Sequence, residues 1–362
     1  MTGAATDKPL LIVGGAGFIG ANLADSVLAE GGRVTVIDTL ARPGVERNLA
    51  WLRQRHGDRV RHLKADVRDG PALETAVAEA RGIVHLAAQV AVTTSLADPL
   101  EDFSVNAAGT LALLETVRRV NPLAPLVFAS TNKVYGDLGD LAMREGAEAY
   151  EPVDAEVRAN GVSETRPLSF HTPYGCSKGV ADQYVLDYAR SFGLRTAVMR
   201  MSCIYGPRQF GTEDQGWVAH FLIRALRGEP ITIFGDGKQV RDILHVSDAV
   251  AAYRAALEGI DAVRGRVFNL GGGPANAVSL RAVLDTIEAL AGPLRLDRSA
   301  WRTGDQLYFV ADTRRLEAAL GWRARTDWRA GLADLARWLE TQDFLRGGAR
   351  APRETTERRL TA

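Results

Sequence analysis

Tyr174 and Lys178, in the run Tyr174-Gly175-Cys176-Ser177-Lys178, are spaced so that a helix carries a phenol and an ammonium on one face. A cation beside a phenol favours the phenolate and lowers a pKa that starts near about 10, which makes the tyrosine usable as a base near neutrality. Such a pair is common by chance, and its meaning depends on what else the chain carries. Upstream, the apolar run Leu11-Ile12-Val13 leads into Gly14-Gly15-Ala16-Gly17-Phe18-Ile19-Gly20 and then into an amphipathic stretch over 21–28. In this context Gly14 makes the tight turn, Gly17 lets the backbone approach a pyrophosphate, and Gly20 lets helix and strand pack closely. Asp38 ends the next strand-like run eighteen residues after Gly20, where a carboxylate accepts hydrogen bonds from ribose hydroxyls and repels a 2'-phosphate. The expected cofactor is NAD rather than NADP, with Lys178 within reach of its nicotinamide ribose.

The elements that must position these residues read as strand and helix in alternation. Short apolar runs fall at 9–13, 34–37, 61–63, 83–86 and 125–129, separated by helical stretches, and a further run at 196–201 resumes the pattern. Alternation of this kind gives right-handed crossovers and a parallel sheet covered on both faces, a doubly wound α/β fold. Past residue 201 turn-rich pieces break the pattern, and 267–270 reads as one more strand of the main sheet before a helix over 280–290. The expected division is a Rossmann-type cofactor domain over 1–200 with returning segments at about 243–275. A smaller C-terminal substrate-binding domain takes 201–242 and 276–345, and 346–362 forms a flexible tail rich in Arg, Gly, Thr and Pro.

Composition narrows the function classes. The 362 residues are 46% hydrophobic and 24% charged, with 44 Lys+Arg balanced by 44 Asp+Glu, so the basic excess of a nucleic-acid footprint is missing. The N-terminal apolar run is far shorter than the roughly 18 residues of a spanning helix, which makes a cytoplasmic enzyme without a membrane partner the expectation. Cys176 and Cys203 are too few for a disulfide framework or a four-ligand metal site and read as small core thiols, and no metal is expected.

The two-residue spacing between successive glycines resembles the extended short-chain dehydrogenase/reductase superfamily of NAD-dependent epimerases and dehydratases. Further motifs match it: Asp66-Val67 at the position that holds the adenine, His85-Leu86-Ala87-Ala88-Gln89 as the H-x-A-A segment, and Asn106 as the helix asparagine. The resemblance implies cofactor contacts from Gly14, Gly17, Phe18, Ile19, Gly20, Asp38, Asp66, Val67, Leu86, Ala87, Ala88, Asn106, Tyr174 and Lys178. It also supplies the third catalytic group, because Thr131 occupies the Ser/Thr position that holds the substrate hydroxyl, completing a triad with Tyr174 and Lys178. In the 4,6-dehydratase branch an acidic pair follows this residue and serves the loss of water; here Asn132 and Lys133 stand there, so hydride chemistry without elimination is expected.

The segments 130–137, 171–179, 181–184 and 214–218 look most like the branch that epimerises CDP-linked deoxyhexoses at C2. That likeness runs over about 10–339. It implies that Tyr174 takes the C2 hydroxyl proton while hydride leaves C2 for NAD, and that the resulting keto sugar turns over and receives the hydride on its other face. Arg241 and Arg302 lie in segments whose arginines grip a sugar-nucleotide diphosphate, a task suited to planar, bidentate donors. Asn132 and Lys133 are expected to orient the ring, and Gln209 and Trp217 to line the nucleotide and sugar pocket. A homodimer through a helix bundle containing the Tyr/Lys helix is also implied. The competing expectations are the same scaffold acting on another nucleotide sugar or at C3 or C4, and a non-catalytic NAD-binding sensor, against which the intact triad speaks.

Overall fold

The computed structural model describes residues 8–302 and 304–345; the tail expected over 346–362 lies outside the described residues. Seven parallel strands form the central sheet. Five come first in the chain: β1 (Leu10–Val13), β2 (Val34–Ile37), β3 (Val60–Leu63), β4 (Gly82–His85) and β5 (Leu126–Thr131). From one edge the order is Arg266–Leu270, Thr196–Met201, β5, β4, β1, β2, β3. Leu10 pairs with Val34 on one side and Gly82 on the other, so β1 is hydrogen-bonded along both edges. Strands buried on both faces read as continuous apolar runs, and all four residues of β1 are fully buried.

The pleat sends alternate residues to opposite cores. Leu10 and Ile12 join a cluster with Leu23 and Leu28 of α1 (Phe18–Ala29), Leu49 and Leu52 of α2 (Val45–His56), and Tyr253 of the helix Val246–Glu258. Leu11 and Val13 join the other, with Leu73 of α3 (Gly70–Glu79), Leu113 of the helix Gly109–Val120, and Val185 of the long helix Thr172–Phe192. The fold is therefore doubly wound, and its strand order reverses direction between β1 and β4. Ligands of such sheets sit in the crevice beyond the carboxyl ends at that switch point.

A smaller lobe is held by its own core, in which Phe221, Ile233, Ile287 and Leu335 bring together the helices Trp217–Arg227, Leu280–Ala291 and Trp328–Glu340. Within the stretch 276–345, however, Leu316 and Trp322 pack on the core of the main sheet, so the chain crosses back a further time. Between the lobes the strand Val240–His245 pairs with Cys203–Tyr205, Ala277–Ser279 and Tyr308–Phe309, which places Arg241 and Cys203 opposite the end of β5.

Candidate active site

At the first turn, Gly14 adopts φ +84°, and a Cβ there would stand 2.6 Å from the Ala87 nitrogen. Leu86 and Ala87 both donate their N–H groups to the Val13 carbonyl at 2.8 Å, which locks the segment Leu86-Ala87-Ala88 against the turn. A Cβ on Gly20 would meet the Gly14 carbonyl oxygen at 2.6 Å, so α1 packs tightly on the turn only with glycine. Gly17 is the N-cap of α1, and neither a capping side chain nor an acidic residue occupies the first turn, where Phe18 and Ile19 begin the helix. Its first N–H groups and the positive end of its dipole thus suit a pyrophosphate. Asp38 accepts from Ala16 N–H at 3.0 Å and Leu40 N–H at 2.9 Å, which fixes the carboxylate at the end of β2. Glycine cradle, free helix end and braced acid fit an NAD.

Three of the expected cofactor residues, Asp66, Val67 and Asn106, make close contacts within the protein. The Asp66 carboxylate is held at 2.8 Å by Arg68, whose hydrogen bonds keep its pKa below the ordinary value, and Arg68 also reaches Glu101 and Ser104. Val67 is buried under Gly109, where a Cβ would come within 2.5 Å of it. Asn106 has its side-chain amide engaged within the protein. Its amide donates to the Gln89 carbonyl, Asp102 and Ser177 and accepts from Gln89 N–H, all within 3.2 Å. It is buried within a π-helical turn, Ser104–Ala108. Its bonds tie Gln89, in the loop after β4, to Ser177 of the Tyr/Lys helix.

Tyr174 opens the helix Thr172–Phe192, and Lys178 follows one turn later on the same buried face. The Thr131 hydroxyl donates to Asn132 Oδ1 at 3.3 Å and accepts the Lys133 N–H at 3.2 Å, and it stands near enough to the phenol to favour its ionised form. The expected electrostatics are not found. Burial pushes the phenol up to about 12, with the Thr131 hydroxyl and the Arg42 charge pulling down and Asp102 pushing further up. Burial also pulls Lys178 down to about 7, against the neighbouring carboxylates of Asp182 and Asp102. Its ammonium donates to the Ala129 carbonyl at 2.6 Å and stands 4.2 Å over the Phe128 ring, so it is directed at the end of β5. Spacing placed the two side chains on one face, but neither is among the charges that shift the other, and burial dominates both.

On the substrate side, Asn132 accepts from the Thr131 hydroxyl and donates to Gln306 at 3.4 Å. Lys133 points inward rather than to solvent: its amine donates to the Gly304 carbonyl at 3.1 Å, and burial, with the Arg241 charge beside it, pulls it down to about 8. Arg241 is buried and bonded to Asp305 at 2.6 Å. Arg302 pairs with Glu213 at 2.8 Å and lies 3.8 Å over the Phe234 ring. Gln209 is buried, donates to the Ile204 carbonyl and packs under Gly216. Trp217 donates to the Cys203 sulfur at 3.4 Å and edges onto Phe221, so it belongs to the lobe's core and touches the cleft through Cys203. Cys203 is a partly buried free thiol, whereas Cys176, expected in the core, is exposed.

Several site residues gave no sequence signal that was used. Asp102 and Ser177 bond to one another beneath the Tyr/Lys helix, and the Ser95 hydroxyl accepts from Tyr174 N–H at 3.2 Å. Asp182 forms a buried ion pair with Arg200 at 2.9 Å and accepts from Ser130. Gln306 is buried and donates to the Gly136 carbonyl at 2.6 Å. Asn106 and Ser177 stand in plain view in the sequence, but partners 71 positions apart follow no local pattern.

A dinucleotide cradle at the switch point, with Thr131, Tyr174 and Lys178 gathered beside it, defines an enzyme of the short-chain dehydrogenase/reductase class. Residues 10–271 match the NAD dependent epimerase/dehydratase family, and the chain belongs to that family. It is 42% identical to the CDP-paratose 2-epimerase of Salmonella typhi over 340 residues, 92% of this chain and 99% of that one. A dTDP-glucose 4,6-dehydratase of Mycolicibacterium smegmatis is 34% identical over 92% of this chain and 94% of its own. Among solved structures, the UDP-glucose 4-epimerase of Thermus thermophilus in complex with NAD superposes with a TM-score of 0.76 at 31% identity, covering 92% of this chain and 99% of that one.

Proposed function

We propose that this enzyme inverts C2 of a CDP-linked deoxyhexose, interconverting sugars of the CDP-paratose and CDP-tyvelose type, with NAD as a resident cofactor. The observation that carries the reading is the pair that follows Thr131. Asn132 is bonded to Thr131 and Lys133 to the Gly304 carbonyl, and neither offers the carboxylic acid that elimination would use at those positions. The 42% identity over 92% of the chain supports the same reaction and the CDP-linked substrate.

NAD, when bound, supplies the acceptor for the sugar's hydride and, in its oxidised form, a positive ring that favours the phenolate of Tyr174. Tyr174 takes the proton from the C2 hydroxyl oxygen and returns it after the keto sugar has presented its opposite face. Thr131 holds that oxygen through its hydroxyl. Lys178, braced by the Ala129 carbonyl, orients the ribose next to Tyr174, and the Asp102–Ser177–Asn106 network sets the pitch of their helix. Asp38 and the glycine turn hold the adenosine half and Asp66 and Val67 flank the adenine, while Arg241 and Arg302 take the diphosphate by exchanging Asp305 and Glu213 for phosphate oxygens. Lys133 and Asn132 hold ring hydroxyls, and Gln209 and Trp217 shape the wall.

The cofactor unit comprises 1–200 with 243–275 and the substrate lobe 201–242 with most of 276–345. The reading includes a cytoplasmic setting, and among the described residues no helix is long and apolar enough to cross a membrane. It also includes a homodimer, supported by exposed Leu96, Leu100 and Phe103 beside the long helix. Light scattering of the purified protein checks the dimer.

Proton NMR with CDP-paratose or CDP-tyvelose in deuterated water, without added cofactor, tests the chemistry. Interconversion with no deuterium at C2 is the expected result; deuterium at C2 would replace hydride return by deprotonation and overturn the mechanism.

A further inference from the structure

The segment 206–210, which follows the strand Cys203–Tyr205, is bonded to α1 and α2 beside the phosphate turn. Two buried or half-buried asparagine amides fasten it there. Asn48 of α2 donates to the Ala16 carbonyl and to the Arg208 carbonyl, each at 3.2 Å. Asn22 of α1 donates to the Phe18 carbonyl at 2.9 Å and to the Pro207 carbonyl at 3.0 Å. Each amide thus joins one backbone group of the phosphate turn to one of the strap. Ala16 is gripped on both sides, its N–H by Asp38 and its carbonyl by Asn48.

Side chains of the strap complete the grip. The Arg208 guanidinium lies 3.8 Å from the centre of the Trp51 ring of α2 and 5.7 Å from that of Trp338 of the helix Trp328–Glu340. The Phe210 ring packs so closely on Gly44, in the loop that follows Asp38, that a Cβ there would stand 2.8 Å from it. Its other side meets Trp338 at 5.6 Å. Arg208 adopts φ +73°, an uncommon conformation for a residue with a side chain, which the contacts on both sides hold in place. One residue on, Gln209 packs under Gly216, and Trp217 next to it reaches Cys203 at the substrate cleft.

We propose that Asn22 and Asn48 are positioning residues that latch this strap onto the phosphate turn, so that the resident dinucleotide leaves only when the strap lets go. The proposal rests on the reading of NAD as a retained cofactor. It gives that retention a physical basis, because an enzyme that stores the hydride between two half-reactions strands a ketone if the carrier departs. Because the strap also borders the substrate side, occupancy there and cofactor retention are linked, and linkage is reciprocal.

The test uses the full chain loaded with NAD and diluted into an NAD-consuming trap, with and without CDP as the probe of the substrate side. The variants are Asn48→Ala, Asn22→Ala and Phe210→Leu, and the melting temperature of each cofactor-free protein is recorded alongside. The expected result is release from Asn48→Ala about tenfold faster than from the wild type, the equivalent of one buried hydrogen bond. CDP slows release from the wild type but no longer from the variant. If Asn48→Ala does not fold, Asn22→Ala and Phe210→Leu carry the same comparison. Release rates and a CDP effect that match the wild type, even with lowered melting temperatures, would reduce the strap to a structural brace and overturn the proposal. A wild type that binds no NAD at all would instead remove the cofactor reading on which it rests.

Discussion

Asp38, on the cofactor side of the cleft, has both carboxylate oxygens bonded to backbone N–H groups, whereas Arg241 and Arg302, on the substrate side, each divide their donors between a backbone carbonyl, of Val240 and Glu213, and a side-chain carboxylate, of Asp305 and Glu213. The two buried lysines do not differ in this way: Lys178 is set on the Ala129 carbonyl and Lys133, on the substrate side, on the Gly304 carbonyl. A bond to the backbone of a buried strand or turn cannot be exchanged without moving the core. A bond to a carboxylate can be traded for one to a phosphate, because both are anions accepting from the same guanidinium fork. On the proposed function, the carboxylate bonds of the two arginines are the ones a diphosphate displaces in each turnover, while the dinucleotide stays in place.

The largest expected effect tests whether the chemistry belongs to the kept side. Replacing Tyr174 with Phe removes the proposed proton carrier and leaves the ring in its packing, so kcat for interconversion should fall by about a thousandfold or more. The amount of NAD carried through desalting stays at the wild-type level. Turnover near the wild-type rate would remove Tyr174 from catalysis, and a parallel loss of NAD would show that the two sides are not separable at this residue.

A second pair of variants sharpens the exchangeable side. Arg241 is buried and Arg302 partly exposed, their side chains 8% and 31% accessible, so the two ion pairs should not count equally. Arg241→Ala strands Asp305 and removes a desolvated donor, and KM for the nucleotide sugar should rise by about a hundredfold. Arg302→Ala removes a solvent-screened partner and should raise KM about tenfold. Retained NAD should change in neither. Equal effects, or effects on kcat alone, would place the diphosphate elsewhere.

The same contrast explains how much could be read from the chain. The strands, the glycine turn, Asp38 and Thr131 are local features: a run of four to six apolar residues, a spacing, a strand end. Their positions in the structure follow the sequence closely, with β5 extending two residues beyond the expected end to include Thr131. What escaped was what depends on partners far along the chain. Arg241 meets Asp305 across 64 positions, and Asn106 meets Ser177 across 71. Arg68 stands beside Asp66, but its claim on that carboxylate is visible only once Glu101 closes the far side. The Tyr174–Lys178 spacing gave the face correctly and the electrostatics wrongly, because burial is a property of everything packed around the helix.

Burial of those lysines leads to the smallest expected effect, a dependence of stability on pH in the ligand-free protein. Lys178 is pulled down to about 7 and Lys133 to about 8, while both titrate near about 10.4 in an unfolded chain. Below pH 7 the folded protein must carry charge on buried amines, and that cost is fully present. As pH rises through these values the folded lysines release their protons while the unfolded chain still holds its own. The unfolded state then binds more protons, and stability rises with pH. The rise ends near pH 10, where unfolded tyrosines ionise but Tyr174, pushed up to about 12, does not; there the folded state holds the extra proton and stability turns downward. Urea unfolding between pH 6.5 and 9.5 should therefore show increasing stability, with a shallower slope in Lys178→Met. The deeper lysine belongs to the kept side, so Lys133→Met should flatten the slope less. A wild-type stability that is flat or falls across this interval would mean that water reaches both amines and that the cofactor side is no drier than the substrate side.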